Sequence, residues 1–458
     1  MNTGKFGAYV FFGPANVGKS TIIGYLQTRH LSEEQFMIEV NKLKTKLGDK
    51  FKSNRLFSYF VDDHFDEYTK SVERNEQLNE NTIAHGTSKY VHIRKIGDFF
   101  LIDTPGGVDY VKERYRGLAL ADVGIFAIEI KQLLNKDKYS FTDLNNFFIS
   151  WYIWKRLHGI NNTLILLTKQ DLNPSKEEYE KAKDNLFEII KEDVHNVTII
   201  PTSIDVKGRN DINVTKSNCL EWYQGKCLMD LLKANMRKSE INSSDSLFMF
   251  YSKKIYVDGM GDTYMWKNNQ GILNLQDRVA ISPVKIGDKW DRVTASIKSM
   301  TDESNNNIEQ VYPGKIVNIV FTKYLDGNGN SMSKKEIEIW KTAIITYEKN
   351  TNIISGNRID ITLESTSNML PKEKDFFERI SDKREVSFLW FGNVIRALIY
   401  QKEDSCLEHK MSLRLPNDYI SCLTEDLPKT IIMQISTKSN NDDTLIVHSY
   451  RCKLSRIY

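Results

Sequence analysis

The sequence predicts an α/β domain with a doubly wound, mostly parallel sheet, followed by two all-β barrel domains. Three observations support this fold class. Apolar strand patterns alternate with helix-compatible segments through the first half of the chain. A glycine-rich turn joins the first strand pattern directly to a helix pattern. The second half contains short strand patterns separated by turn residues, which is typical of small β-barrels. We place the domains at residues 1–236, 245–330 and 335–458.

The composition is typical of a globular protein. Of 458 residues, 40% are hydrophobic and 27% are charged, and the formal net charge of +3 indicates no general preference for nucleic acid. No apolar run approaches the ~18 residues of a membrane-spanning helix, so we expect no membrane association. The five cysteines are scattered without zinc-type spacing, and no leader pattern precedes the first strand. We therefore expect unpaired thiols and a cytoplasmic protein.

The first functional element is a phosphate-binding loop. The apolar run at residues 8–12 predicts a buried strand, and the spacing G-x-x-x-x-G-K-S joins it to a helix pattern. Glycines let the backbone wrap around phosphate oxygens, while loop amides supply partial positive charge. Lys19 would neutralise the β- and γ-phosphates, and Ser20 would offer its hydroxyl to magnesium. The candidate nucleotide-binding residues of this loop are Gly13, Asn16, Val17, Gly18, Lys19, Ser20 and Thr21.

A long polar insert, residues 31–80, follows the loop and its helix. Apolar side chains recur in it at three- and four-residue spacing, at Phe36, Val40, Leu43 and Leu47. This spacing predicts an amphipathic helix within the insert. A threonine between the phosphate loop and the next strand can complete magnesium coordination while a γ-phosphate is present. We choose Thr82 as this metal ligand and keep Thr87 as the alternative.

The next element is an aspartate at the end of a buried strand. An apolar run at residues 99–102 leads directly into Asp103-Thr-Pro-Gly106. A carboxylate in that position can hold magnesium, directly or through water, so Asp103 joins Ser20 and Thr82 as a predicted metal ligand. The Gly106 amide can turn onto the γ-phosphate.

Another strand end carries residues suited to a guanine base. The strand pattern at residues 163–167 ends in Thr168-Lys-Gln-Asp171. The Asp171 carboxylate can accept hydrogen bonds from the ring NH and the exocyclic amine of guanine, a donor pair that adenine lacks. Lys169 can lay its aliphatic stem over the base.

The last element of the predicted site is the end of a strand at residues 197–200. The chain continues into Ser203 and Ile204, and the Ser203 backbone can reach the guanine carbonyl oxygen. Ligands of open α/β sheets bind at the carboxyl ends of the strands. The four elements therefore predict one guanine-nucleotide site at a single edge of the sheet.

The second half of the chain predicts two barrels. Residues 235–246 are polar and aperiodic and are interpreted as a linker. We take the turn Asp326-Gly-Asn-Gly-Asn-Ser331 as the boundary between the barrels. Strand patterns of the second barrel lie at residues 342–346, 359–363, 386–390, 430–435 and 444–448.

These motifs resemble those of the translational GTPases, in the branch of elongation factor Tu and elongation factor 1-alpha. Residues 103–112 are similar to that family's second switch, and the polar insert is similar to the helical first switch of elongation factor 1-alpha. Residues 271–279, with spacing G-x-L-x-x-x-D-x-V, resemble the family's second domain. The resemblance implies a P-loop GTPase domain with GTP or GDP and Mg²⁺ as cofactors. It also implies the ribosome and a tRNA, or a tRNA-like protein, as partners, and a protein that is a monomer or part of a heteromeric complex.

The departures from the family concern hydrolysis. The family has a water-positioning histidine after the D-x-P-G motif, where this chain has Gly107. Asn16 and Ala15 stand where the family usually has aspartate and valine, and Asn81 replaces an isoleucine. We therefore expect GTP binding with slow or differently triggered hydrolysis. His85 is a candidate substitute for the missing histidine. The alternatives are a water bridge and a residue supplied by a partner.

Three functions remain open from the sequence. The first is a divergent translational GTPase that delivers a tRNA or tRNA-like cargo. The second is a GTP-dependent scaffold or regulator with little turnover, which Gly107, Asn81 and Asn16 favour. The third is the GTPase subunit of a metabolic complex, which would require a stable protein partner.

Overall fold

The computed structural model describes residues 5–61, 86–93, 97–106, 117–135, 163–169, 175–190, 197–205, 209–217, 219–238, 246–257, 261–302, 306–349, 353–363, 385–391, 393–404, 409–415, 418–423, 430–438 and 445–458. The chain divides into two compact units. One comprises Met1–Glu240 with Tyr256–Gly259, and the other comprises Ile241–Ile255 with Met260–Tyr458. Within the described residues, no helix has the length and apolar character needed to cross a membrane.

A mostly parallel sheet forms the centre of the first unit. Its strands are β1 (Lys5–Phe12), β2 (Gly86–Ile93), β3 (Gly97–Asp103), β4 (Val123–Glu129), β5 (Thr163–Thr168) and β6 (Val197–Pro201). The order across the sheet is β2-β3-β1-β4-β5-β6, and only β2 on this path is antiparallel to its neighbour. Central strand residues such as Phe11, Ile125 and Leu166 are fully buried, as expected for a parallel sheet covered on both faces.

Helices and short hairpin strands complete the first unit. The helices are α1 (Lys19–Thr28), α2 (Glu33–Leu47), α3 (Ser58–Val61), α4 (Ile130–Leu134), α5 (Lys176–Ile190) and α6 (Leu228–Ala234), with single 3-10 turns at Gly48–Lys50 and Ser53–Arg55. Strands β7 (Ser203–Asp205) and β8 (Asn210–Ile212) form a hairpin, and β9 (Arg237–Lys238) pairs with the start of β1.

The amphipathic helix predicted in the insert is confirmed as α2. Ser32 and Gln35 form a capping box that satisfies amides at its first turn. Phe36, Val40 and Leu43 are buried, so the predicted apolar spacing faces the core of this unit.

The second unit begins with a six-stranded barrel. Its strands are β10 (Phe248–Val257), β11 (Gly261–Gln270), β13 (Arg278–Ile286), β14 (Lys289–Thr301), β16 (Ile316–Leu325) and β18 (Ile337–Tyr347). Pairing of β11 with both β10 and β16 closes the ring. The short strands β12 (Leu273–Asn274), β15 (Gln310–Val311) and β17 (Ser331–Met332) lie beside it, with a 3-10 turn at Lys334–Glu336. Trp266 and neighbouring inward side chains fill the interior.

Strand β18 is placed differently from the sequence prediction. The prediction assigned residues 335–458 to the third domain, but β18 is hydrogen-bonded to β10 and β13 in the first barrel. The supposed boundary at residues 326–331 is a turn in which the Asp326 carboxylate accepts the Asn328 and Asn330 amides. A turn pattern shows where the chain reverses, but it does not show which sheet the next strand joins. The three-domain division itself stays a prediction.

A closed barrel ends the second unit. Its order is β20-β23-β22-β21-β25-β26. The strands are β20 (Arg358–Leu363), β21 (Glu385–Trp390), β22 (Asn393–Asp404), β23 (His409–Arg414), β25 (Thr430–Lys438) and β26 (Leu445–Ile457). A separate pair is formed by β19 (Ile353–Gly356) and β24 (Ile420–Leu423). An α/β domain followed by β-barrels is the predicted fold class, which is confirmed.

Candidate functional site

The phosphate loop connects β1 to α1 through three left-handed residues. Gly13, Asn16 and Gly18 have φ values of 140°, 61° and 93°. A Cβ on Gly13 would lie 2.1 Å from the Ala127 carbonyl oxygen, so a side chain cannot fit beside β4. Asn is among the few non-glycine residues that adopt this conformation readily. The loop therefore has the tight, amide-rich turn that the motif predicts.

Lys19 turns back across the loop that precedes it. Its Nζ donates to the carbonyl oxygens of Gly13, at 3.1 Å, and Pro14, at 2.7 Å, and the residue is only 5% exposed. Because an ammonium group is costly to bury, it is held here by backbone acceptors within the loop. This places a positive charge where the motif predicts phosphate.

Ser20 and Asp103 meet at the edge of the sheet. Asp103 is the last residue of β3 and lies beside Phe11 of β1, while Ser20 is in the first turn of α1. The Ser20 hydroxyl donates to Asp103 Oδ2 at 2.5 Å, and Asp103 is fully buried. Hydroxyl and carboxylate oxygens are the ligands that Mg²⁺ prefers, so this pair fits a magnesium ion.

The segment after Asp103 packs directly on the phosphate loop. The Thr104 hydroxyl donates to the Phe11 carbonyl oxygen at 2.8 Å. A Cβ on Gly106 would lie 2.3 Å from the backbone nitrogen of Ala15, so only glycine permits this approach. Gly106 is therefore held against the loop that the sequence predicts to bind phosphate.

The base-side residues lie at the ends of β4 and β5. Thr168 is buried, and its hydroxyl donates to the Ile128 carbonyl oxygen at 3.2 Å. Lys169 follows with a left-handed φ of 63°, and its Nζ lies 2.7 Å from Oε2 of Glu129. The sequence patterns did not indicate Glu129, because it is the last residue of an otherwise apolar strand.

Ser203 and Ile204 follow the end of β6 and begin the β7–β8 hairpin. The Thr202 amide donates to the Leu167 carbonyl oxygen at 2.8 Å, which holds this turn against the end of β5. Ser203 is buried and pairs with Ile212. Both residues are therefore at the same edge of the sheet as Thr168.

The loop beyond the hairpin is tied to α1 by a carboxylate. Asp211 accepts the amides of Val214 and Thr215 through Oδ1, at 2.8 and 2.7 Å, and the Tyr25 hydroxyl through Oδ2, at 2.8 Å. Burial, and then the Asp211 carboxylate, raise the pKa of the Tyr25 phenol to about 12. No motif in the sequence indicated Tyr25 or Asp211, although the one-turn spacing from Asp211 to its amide partners is typical of a loop-capping aspartate.

Arg209 links the same hairpin to the insert. Its guanidinium lies 3.9 Å from the centre of the Phe36 ring in α2. It also donates to the carbonyl oxygens of Thr28 and Leu31, at 3.2 and 3.5 Å. The base-side hairpin, the end of α1 and the insert helix are thus joined by one side chain, which no local sequence pattern indicated.

Several predicted site residues fall outside the described part of the chain: Thr82, His85, Gly107 and Asp171. The alternative ligand Thr87 lies within β2, paired with Ile102. Of the remaining loop candidates, Val17 is buried and Thr21 belongs to the first turn of α1.

Comparisons with known proteins agree with this geometry. Residues 7–238 match the family described as the elongation factor Tu GTP binding domain. Elongation factor 1-alpha of Archaeoglobus fulgidus is 25% identical over 333 residues, which cover 71% of this chain and 68% of that protein.

Two solved structures share the fold. The S. cerevisiae Ski7 GTPase-like domain, bound to GDP and inorganic phosphate, has a TM-score of 0.73 at 16% identity, covering 99% of this chain and 98% of that chain. Translation elongation factor SelB from Methanococcus maripaludis, in complex with the GTP analogue GppNHp, has a TM-score of 0.60 at 14% identity, covering 99% and 80%. These low identities support similarity of fold alone.

Proposed function

The chain belongs to the family of the elongation factor Tu GTP-binding domain, and from this premise we propose that it is a GTP-Mg²⁺ switch that delivers a tRNA or a tRNA-like protein to the ribosome. As a member of that family it is a translation-factor-like GTPase. The cargo, the ribosomal partner and the slow hydrolysis are the proposed parts.

The observation that carries the proposal is the contact between Ser20 and Asp103. The Ser20 hydroxyl lies 2.5 Å from Asp103 Oδ2 and so joins the phosphate loop to the end of β3, and Ser20 directly follows the buried Lys19. A hydroxyl, a carboxylate and a lysine brought together at a helix N-terminus suit a nucleotide phosphate with its magnesium ion. In our proposal Lys19 binds the phosphates, Ser20 and Asp103 hold magnesium with Thr82, and the Gly106 amide contacts the γ-phosphate.

The base and the cargo complete the proposal. Asp171 would read guanine, with Lys169 against its face and Ser203 at its carbonyl oxygen. Ribosome and tRNA are proposed because the relatives with detectable sequence similarity include elongation factors 1-alpha. Cytoplasmic location is proposed for the same reason, and Cys219 and Cys227 are free thiols, which suits a reducing compartment.

Slow hydrolysis is proposed from Gly107, because glycine has no side chain that can orient an attacking water. His85 or a residue from the ribosomal partner would then supply that role. The same observation favours a second candidate function, a GTP-dependent scaffold with little turnover, in which the bound nucleotide serves only to order the switch segments.

Single-turnover GTP hydrolysis with and without ribosomes, together with a GTP affinity measurement, tests the proposal. Strong acceleration by ribosomes would support delivery and mean that Gly107 is bypassed. Tight GTP binding without acceleration would reject delivery and favour the scaffold. A protein that copurifies in fixed ratio, without ribosomes, would instead indicate the subunit of a metabolic complex.

A further inference from the structure

The ion pair between Lys169 and Glu129 joins two strand ends, unlike the two ion pairs found within helices in the described part of the first unit. The register of β4 and β5 places Glu129 directly beside Thr168, so Lys169 leaves its strand next to the glutamate. The side chain of Glu129 is 15% exposed and that of Lys169 39% exposed, although the residues are 40 apart in sequence. Long-range pairing with a largely buried carboxylate indicates a specific position rather than a chance surface contact.

Two ion pairs on the helices of this unit give the contrast. Glu39–Lys42 and Glu180–Lys183 join residues one helical turn apart, and all four side chains are at least 33% exposed. Such pairs form wherever opposite charges share a helix face. The Glu129 carboxylate, in contrast, gives up most of its hydration at the end of an apolar strand, which is costly without its partner.

The ion pair fixes the direction of the Lys169 side chain. Its φ of 63° turns the chain sharply after β5, and the ammonium is drawn to Glu129 at the carboxyl edge of the sheet. A lysine side chain otherwise has many rotamers, and ordering it during ligand binding costs free energy. Anchored at its charged end, the aliphatic stem is ordered before a ligand arrives.

We infer that Glu129 is a positioning residue that holds the Lys169 stem as a preformed platform for the face of the purine base. This inference rests on the proposed guanine-nucleotide site and adds a residue to it. A platform contacts the ring face, so its contribution is independent of the groups on the base edge. Glu129 should therefore act equally on guanine and on hypoxanthine, which lacks the exocyclic amine.

The test measures dissociation of GDP and of inosine diphosphate, each carrying a fluorescent group on the ribose, from the full-length protein. Glu129→Gln removes the charge while keeping the shape of the side chain. We expect dissociation of both nucleotides to accelerate by the same factor, about three- to tenfold, as loss of one charge-assisted contact implies. Glu180→Gln, which removes an exposed carboxylate on α5, is the matched control and should change neither rate.

A double-mutant cycle with Lys169→Met shows whether Glu129 acts through Lys169. Methionine keeps an aliphatic stem without the charge, so Glu129→Gln should cause no further acceleration in that background. Three results would each overturn the inference. They are unchanged dissociation rates for Glu129→Gln, an acceleration confined to GDP, and an acceleration by Glu129→Gln that is as large in the Lys169→Met background as in the wild type. If the folded wild-type protein bound neither nucleotide, the proposed function would fail instead of the inference. Thermal unfolding of each variant would identify any variant that has lost its fold.

Discussion

At the scale of single residues, the phosphate side of the site depends on positions where no side chain fits. Gly13 abuts the Ala127 carbonyl of β4, and Gly106 abuts the backbone of Ala15. The first contact sets β4 against the phosphate loop, and the second sets the segment after β3 against it, so that Asp103 can reach Ser20. Lys19 contributes the charge, but the two glycines determine where that charge and the carboxylate can meet.

Replacing Gly106 by alanine should separate these two segments. The new Cβ would lie 2.3 Å from the Ala15 nitrogen and 2.5 Å from the Pro14 carbonyl carbon, both of which are backbone atoms. We expect a loss of about 1–3 kcal/mol in the free energy of unfolding and a GTP affinity about tenfold weaker. Urea unfolding and equilibrium titration with GTP measure the two effects.

Gly327→Ala is the control for that substitution, because the new Cβ would lie within 4 Å of no atom beyond the adjoining residues of the chain. It should leave both quantities unchanged. A Gly106→Ala protein with wild-type stability and affinity would show that the loop and the D-x-P-G segment do not pack together in solution.

At the scale of elements, the base-side hairpin is tied to two helices. Asp211 receives the Tyr25 hydroxyl from α1, and Arg209 lies over Phe36 of α2. The start of the β7–β8 hairpin, where Ser203 is proposed to contact the base, is therefore connected to the insert that resembles the family's first switch. These links are made by side chains from distant parts of the chain, so they determine how the elements pack rather than whether they form.

Arg209→Ala should weaken the packing of α2. It removes the contact with the Phe36 ring and two hydrogen bonds to carbonyl oxygens at the end of α1. We expect a loss of about 1–2 kcal/mol in the free energy of unfolding and faster amide exchange in α2. Asn41→Gln, at an exposed position of the same helix, should affect neither measurement. Unchanged amide exchange in the Arg209 variant would contradict the assigned link.

The Tyr25 phenol should make stability sensitive to alkaline pH. Its pKa is raised in the folded protein, so the stabilisation is complete below the unfolded pKa near 10 and is lost as pH rises toward about 12. The free energy of unfolding should therefore fall more steeply between pH 10 and 12 in the wild type than in Tyr25→Phe. Denaturant unfolding at a series of pH values tests this. The contrary result would be equal slopes of the free energy of unfolding against pH for the wild type and Tyr25→Phe between pH 10 and 12, as between pH 7 and 9.

At the scale of the whole molecule, the two barrels form one compact unit. The Trp290 ring stacks on Tyr419 at 5.7 Å between centroids, and the buried Asp418 accepts from Trp340 Nε1 at 2.8 Å. Lys341 also pairs with Asp418, at 2.9 Å. Because Trp340 and Lys341 belong to β18, this strand both completes the first barrel and carries contacts to the segment beside the second.

Asp418→Ala should loosen both sides of this contact together. Loss of the carboxylate leaves the Trp340 NH and the Lys341 ammonium without that acceptor, at a cost of about 1–3 kcal/mol. Hydrogen exchange followed by mass spectrometry should show faster exchange in both β18 and β24. Asp288→Ala, in an exposed turn, should show no change, and faster exchange confined to β24 would indicate that the barrels do not unfold cooperatively.

The sequence by itself determined the fold class and the family, and it predicted the local parts of the site. Phosphate binding requires consecutive residues in one turn, so Gly13 to Ser20 identify it, and each strand end carries its own short pattern. Only the tertiary structure decided which barrel β18 joins and which residues form the pairs Glu129–Lys169, Asp211–Tyr25 and Arg209–Phe36. Their partners are far apart in sequence, and the free energy of such contacts depends on packing between elements, which no local spacing encodes.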